Sequence, residues 1–152
     1  MNESISASEL PGLVGRELPP SDWFEISQER VNHFADATND HQFIHIDEAR
    51  AAQTPFGGTI VHGFLTLSLL PFLSGQIIPE IEGLKMAINY GSDRLRFLQP
   101  VRVGSRVRAR QKFVEATEKN PGQWLLKSQV SIEIEGQEKP SLVAETLSMF
   151  VV

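Results

Sequence analysis

The sequence predicts a two-layer α+β domain in which an antiparallel sheet wraps around one buried helix. Three observations lead there. The run from Ile60 to Leu73 is apolar on nearly every side of a helix, so it must be enclosed by other structure. Beyond Pro79 the pattern changes to alternating and β-branched segments separated by turn signals, which read as strands. At 152 residues the chain forms one core, so helix and strands share it, and residues 1–152 are read as a single domain.

The elements follow in order. Residues 1–20 are expected to be an irregular lead-in, because Pro11, Gly12, Gly15, Pro19 and Pro20 break any regular pattern. Trp23 to Ile26 predicts a short strand. Ser27 is a plausible N-cap for a helix ending near Thr38, with Val31, Phe34 and Ala35 on one apolar face. Asn39, Asp40 and His41 form a polar turn, and Asp47 caps a second short helix through Ala52. The helix opened by Gly63 meets Pro71, which removes a backbone donor and predicts a kink. Strands are expected at Lys85–Tyr90, Arg94–Phe97, Arg106–Glu118, Gln123–Glu135 and Ser141–Val152. The last three make an antiparallel meander, with turns at Asn120-Pro121-Gly122 and Glu135-Gly136-Gln137.

Composition narrows the function. A hydrophobic share of 41% with 22% charged residues is that of an ordinary globular protein, and a net charge of −5 argues against a nucleic-acid face. With no cysteine there is no disulfide, thiolate nucleophile or thiolate-held metal. Met1 to Glu9 lacks the basic start and apolar run of a secretory signal, and Ile60–Leu73 is too short to span a bilayer. A cytoplasmic protein with no membrane association is the resulting expectation.

The segment Asn39-Asp40-His41-Gln42-Phe43-Ile44-His45 carries the chemistry. A carboxylate and an imidazole on one turn can converge on a single water, one accepting a proton while the other orients or relays it. On spacing alone the stronger reading is that Asp40 is a turn or cap residue and His45 a solvated one. Gly63 opens the apolar helix, where backbone N–H groups are unpaired and developing negative charge is favoured. It serves equally as a small residue that allows tight packing. His41 and His45 are four apart, as helical metal ligands would be, but no carboxylate-rich partner motif follows, and no metal is expected. His62 reads as a structural histidine beside the helix start and His33 as a surface one. Arg94, Arg96, Arg102, Arg106, Arg108 and Arg110 lie on strand-like sequence. They suit either phosphate binding or cross-strand pairing with Glu115, Glu118, Glu133 and Glu135.

Phe34-Ala35-Asp36-Ala37-Thr38-Asn39-Asp40-His41-Gln42-Phe43-Ile44-His45-Ile46-Asp47, followed by Pro55-Phe56-Gly57-Gly58-Thr59-Ile60-Val61-His62-Gly63, resembles the MaoC-like, R-specific enoyl-CoA hydratase family. The nodulation-protein-N-like branch is the nearest match, because Asp-His-Gln-Phe-Ile-His replaces the more usual Asp-x-Asn-Pro-x-His. The resemblance implies a hot-dog fold and syn addition of water to trans-2-enoyl-CoA, giving (R)-3-hydroxyacyl-CoA, or the reverse dehydration in fatty acid metabolism. Asp40 and His45 would be the catalytic pair and the Gly63 N–H the oxyanion donor. Gln42 stands where the family has a supporting Asn. His62, Phe64, Arg94 and Arg96 are candidate substrate contacts. Coenzyme A would be part of the substrate, with no separate cofactor and no metal. Strands with exposed edges need cover, and a homodimer joining two sheets edge to edge is expected, as the resemblance also implies.

Two other functions fit the same scaffold. A thioesterase would need a carboxylate on the buried helix, and none lies between Gly63 and Gly75. A non-catalytic acyl-thioester binding module would keep the pocket without turnover, which Gln42 leaves open.

Overall fold

A computed structural model describes residues 4–152. Its main sheet has five antiparallel strands in the order β2, β5, β6, β7, β4. These are β2 (Phe24–Glu25), β4 (Met86–Phe97), β5 (Arg106–Asn120), β6 (Gln123–Ile134) and β7 (Leu142–Val151). The expected meander is present, since β5, β6 and β7 are consecutive neighbours. The two segments expected at Lys85–Tyr90 and Arg94–Phe97 are one strand, β4, paired with β7 along its length and shifted in register near Gly91 and Asp93. Extra residues at a bulge keep the ladder going while breaking side-chain alternation, so the sequence pattern falls apart there.

Among the described residues five α-helices precede β4: α1 (Gln28–Thr38), α2 (Phe43–Ile46), α3 (Glu48–Ala51), α4 (Gly63–Ser68) and α5 (Leu70–Ser74). Ser27 caps α1 by accepting from Arg30 N–H at 3.2 Å, and Asp47 caps α3 by accepting from Arg50 N–H at 3.0 Å. Asn39 ends α1 in the left-handed region, φ 60°, where asparagine is among the few tolerated side chains. The central run divides at Leu69, two residues before Pro71.

These central helices pack on the inner face of the sheet. Leu65, Leu69, Leu70 and Leu73 meet Val107, Ala109, Val130, Ile132 and Leu142 in the main core. The expectation of an all-round covered helix needs correction for the single chain: Phe64 and Phe72 stay exposed, because one sheet covers only one side of a helix pair.

The lead-in is more regular than its prolines and glycines suggest. Its first three residues lie outside the described ones. Ser4–Ile5 forms the two-residue β1, parallel to β3 (Glu80–Ile81), and Ala7–Leu13 is a 3₁₀ helix. Leu10 and Leu13 from this helix bury against Phe113, Trp124, Leu126 and Phe150, plugging one end of the sheet. Gly15 N–H donates to Phe113 C=O at 2.9 Å and ties the segment down. Tertiary burial has overridden the local break signals.

Candidate active site

The turn after α1 places Asp40 at the surface, and the next helical turn, α2, turns His45 inward until it is 7% exposed. The polar-turn reading of His45 is therefore replaced: Phe43, Ile44 and Ile46 give the segment enough apolar content to fold inward as helix. His45 N–H donates to Gln42 C=O at 3.0 Å, and its own carbonyl accepts from Gln28 Nε2 at 2.8 Å. The Gln28 Oε1 in turn accepts from Thr59 Oγ1 at 2.8 Å, which ties α1 to the chain leading into α4.

The ring of His45 has a fixed orientation. Nδ1–H donates to Ile60 C=O at 2.7 Å, so in the neutral imidazole Nε2 is the bare nitrogen. His45, His62 and Asp40 each bring one ring nitrogen or carboxylate oxygen within 4.8 Å of the others. His62 is 2% exposed, stacks on His45 with ring centroids 3.8 Å apart and planes 25° from parallel, and donates from Nε2 to Asp40 C=O at 3.0 Å. Burial pushes the His62 pKa below its ordinary value, and the neighbouring His45 and His41 act in the same direction against the Asp40 carbonyl and carboxylate. Ligand atoms this close form a candidate metal-ligand set, with Asp40 exposed and the two imidazoles buried. His41, the other candidate ligand, pairs instead with Asp36 at 2.8 Å.

Gly63 follows His62 as the first residue of α4, so its N–H lies in the turn that has no intrahelical acceptor. A Cβ at this position would come within 3.0 Å of the Phe97 ring. Any side chain there would have to push that ring aside by a few tenths of an ångström. A cavity of ≈ 450 Å³ lies here, bordered by His45, Phe56, Gly63, Phe64, Thr66 and Phe97. Phe64 is 64% exposed and meets Phe97 edge to face at 5.7 Å. Arg102 stands at the loop before α4, donating from Nη1 to Phe56 C=O at 2.8 Å.

The other predicted residues divide. Gln42 takes part through its backbone, its N–H reaching Asp40 Oδ1 at 3.4 Å, while its side-chain amide makes no hydrogen bond among the described residues. Arg94 and Arg96 border a different cleft, of ≈ 840 Å³, away from His45 and Gly63. Arg94 stands 4.0 Å from Glu145, and Arg96 Nη1 donates to Leu95 C=O at 2.8 Å. Arg106 pairs with Glu135, and Arg108 and Arg110 share Glu133 at 2.6 and 2.5 Å, which is the cross-strand arrangement weighed for this cluster. Gln28, Ile60 and Phe97 bear directly on the site yet carry no local signal, since each acts across a long sequence separation.

Comparison with known proteins adds to this geometry. Residues 9–133 match the family model described as a MaoC like domain. The chain is 47% identical over 146 residues to 3-hydroxyacyl-thioester dehydratase Z of Mycobacterium tuberculosis, covering 96% of each chain. It is 46% identical to nodulation protein N of Rhizobium meliloti, covering 95% of this chain and 91% of that one. Among solved structures, an (R)-hydratase from A. caviae involved in PHA biosynthesis superposes with a TM-score of 0.73 at 30% identity, over 89% of this chain and 94% of the other.

Proposed function

Since the chain belongs to the MaoC-like domain family, close to its nodulation-protein-N-like branch, we propose that it is a hydro-lyase that adds water to trans-2-enoyl-CoA, giving (R)-3-hydroxyacyl-CoA, and catalyses the reverse dehydration. The observation that carries this reading is the closeness of Asp40 to His45, together with the cavity that His45 and Gly63 border. In this reading one water donates a hydrogen bond to the Asp40 carboxylate and another to the bare Nε2 of His45. Two acceptors aim its lone pair at the substrate β-carbon.

The balance is simple. Asp40 takes a proton as the water oxygen bonds to the β-carbon, the C=C π electrons move to the thioester oxygen, and the Gly63 N–H receives that developing charge. The Asp40 proton then passes to the α-carbon on the same face, which makes the addition syn and returns the carboxylate to its starting state. The ≈ 450 Å³ cavity between Phe56, Phe64 and Phe97 supplies an apolar entrance suited to an acyl thioester.

Asp40→Asn and His45→Ala test the assignment in an absorbance assay of crotonyl-CoA hydration. Each is expected to lose roughly 10²- to 10⁴-fold in turnover with the fold retained. Wild-type turnover in either variant would remove that residue from the mechanism, and release of free thiol would replace hydration with hydrolysis.

We also infer a homodimer. β4 is a long edge strand whose Met86, Ile88, Tyr90 and Phe97 are exposed, and edges of that kind are ordinarily covered. A second copy joined along β4 would extend the sheet and cover these side chains.

A further inference from the structure

We propose that His62 is a positioning residue: its single ring sets both Asp40 and His45, by a hydrogen bond to the Asp40 carbonyl and a face-to-face stack on the His45 imidazole. This rests on the reading of Asp40 and His45 as the acid/base pair. Asp40 sits in a surface turn between the left-handed Asn39 and the N-terminus of α2. The Nε2–H bond from His62, at 3.0 Å across 22 residues, is the long-range hydrogen bond of Asp40 among the described residues. On its other side the His62 ring meets Phe34 of α1 at 4.9 Å, so the imidazole is held between α1 and α2. Its carbonyl accepts from Leu65 N–H and Thr66 N–H, which starts α4 and places the next N–H, that of Gly63, in the same locale. One residue thereby links the three groups the reaction uses.

A slot that only needed filling would take an apolar side chain. His62 instead carries a buried Nδ1 that meets no hydrogen-bond partner among the described residues, a polar atom that a purely packing role does not call for. Position 62 has three requirements: one donor aimed at the Asp40 carbonyl, one flat face against His45, and no charge. The groups facing it are the Asp40 carboxylate and the imidazoles of His45 and His41, and burial disfavours a charge at 62 more strongly than the carboxylate favours one. Phenylalanine meets the second and third requirements, glutamine the first and third. Neutral histidine meets all of them.

The test uses the intact protein, His62→Phe and His62→Gln, with two readouts. In NMR with ring-¹⁵N histidine, the wild-type His62 should show the Nε2–H tautomer and titrate below the ordinary histidine range. Amide exchange at residues 39–42 should accelerate in His62→Phe and match the wild type in His62→Gln, whereas the His45 ring signals should lose the ring-current shift of the stack only in His62→Gln. In the crotonyl-CoA assay His62→Phe should lower kcat roughly ten- to hundredfold while KM stays within about threefold, since the reacting groups are misplaced and the binding surface is kept. An Nδ1–H tautomer, unchanged exchange at 39–42 in His62→Phe, or wild-type kcat in that variant would each overturn the proposal. Absence of turnover in the wild type would count against the hydratase reading alone, and the NMR readouts would still decide the role of His62.

Discussion

At the scale of single residues, the site depends on tautomers and burial more than on residue identity. Ile60 contributes a carbonyl that, by accepting from His45 Nδ1–H, fixes which ring nitrogen is left bare. His62 is buried neutral, so its folded pKa lies below its ordinary value of 6.5. Below about that value the unfolded chain binds a proton that the folded chain refuses, and linkage then makes stability fall as pH falls. The stability that neutral His62 protects is fully present above the unfolded pKa and is lost on acidification. Thermal melts between neutral and mildly acidic pH should show a drop in the wild type that is shallower in His62→Phe, which has no proton to take up. Parallel slopes in the two proteins would show that other groups set the acid limit.

At the scale of elements, α4 has two tasks that compete at its first residue. Gly63 allows the Phe97 ring to lie against the helix start, and helix propensity there favours alanine over glycine by roughly 0.5–1 kcal/mol. Phe97 is a half-exposed side chain that can yield by a few tenths of an ångström, so Gly63→Ala should fold with unchanged or slightly raised stability. The added methyl group narrows the approach to the Gly63 N–H, and kcat/KM for crotonyl-CoA should fall. A variant that gains stability and keeps full activity would show that close approach at this N–H is not needed. The split of α4 and α5 at Leu69 serves the core too, since Leu69, Leu70 and Leu73 all remain buried across the break.

At the scale of the whole molecule, the sheet has two unlike edges. β2 is two residues long and leads directly into α1, whereas β4 runs the length of the sheet with nearly every residue exposed. Phe64, Phe72 and Tyr90 add apolar surface, being 64%, 53% and 63% exposed. Sedimentation or light scattering should find a homodimer in the wild type, and a melting temperature that rises with protein concentration, as mass action requires for a coupled dimer. Ile88→Lys puts a charge on the exposed edge and should shift the population to monomer. A monomeric wild type at high micromolar concentration would remove the dimer. Among the described residues no helix is long and apolar enough to cross a membrane.

The sequence by itself determined the elements whose causes are local. Ser27 and Asp47 announce helices because their side chains cap the N–H groups three residues on, and β5 to β7 announce a meander because alternation persists between turn residues. It also named Asp40, His45 and Gly63, through a run of residue types specific enough to resemble one family. What only the tertiary structure decided depends on groups far apart in the chain. The 3₁₀ helix at Ala7–Leu13 exists because Leu10 and Leu13 find a distant apolar surface, and the unbroken β4 exists because β7 pairs with it through two register shifts. His62 looked structural from its neighbours in sequence; its hydrogen bond and its stack come from folding α2 back onto the start of α4, where backbone geometry sets the contact and no local pattern records it.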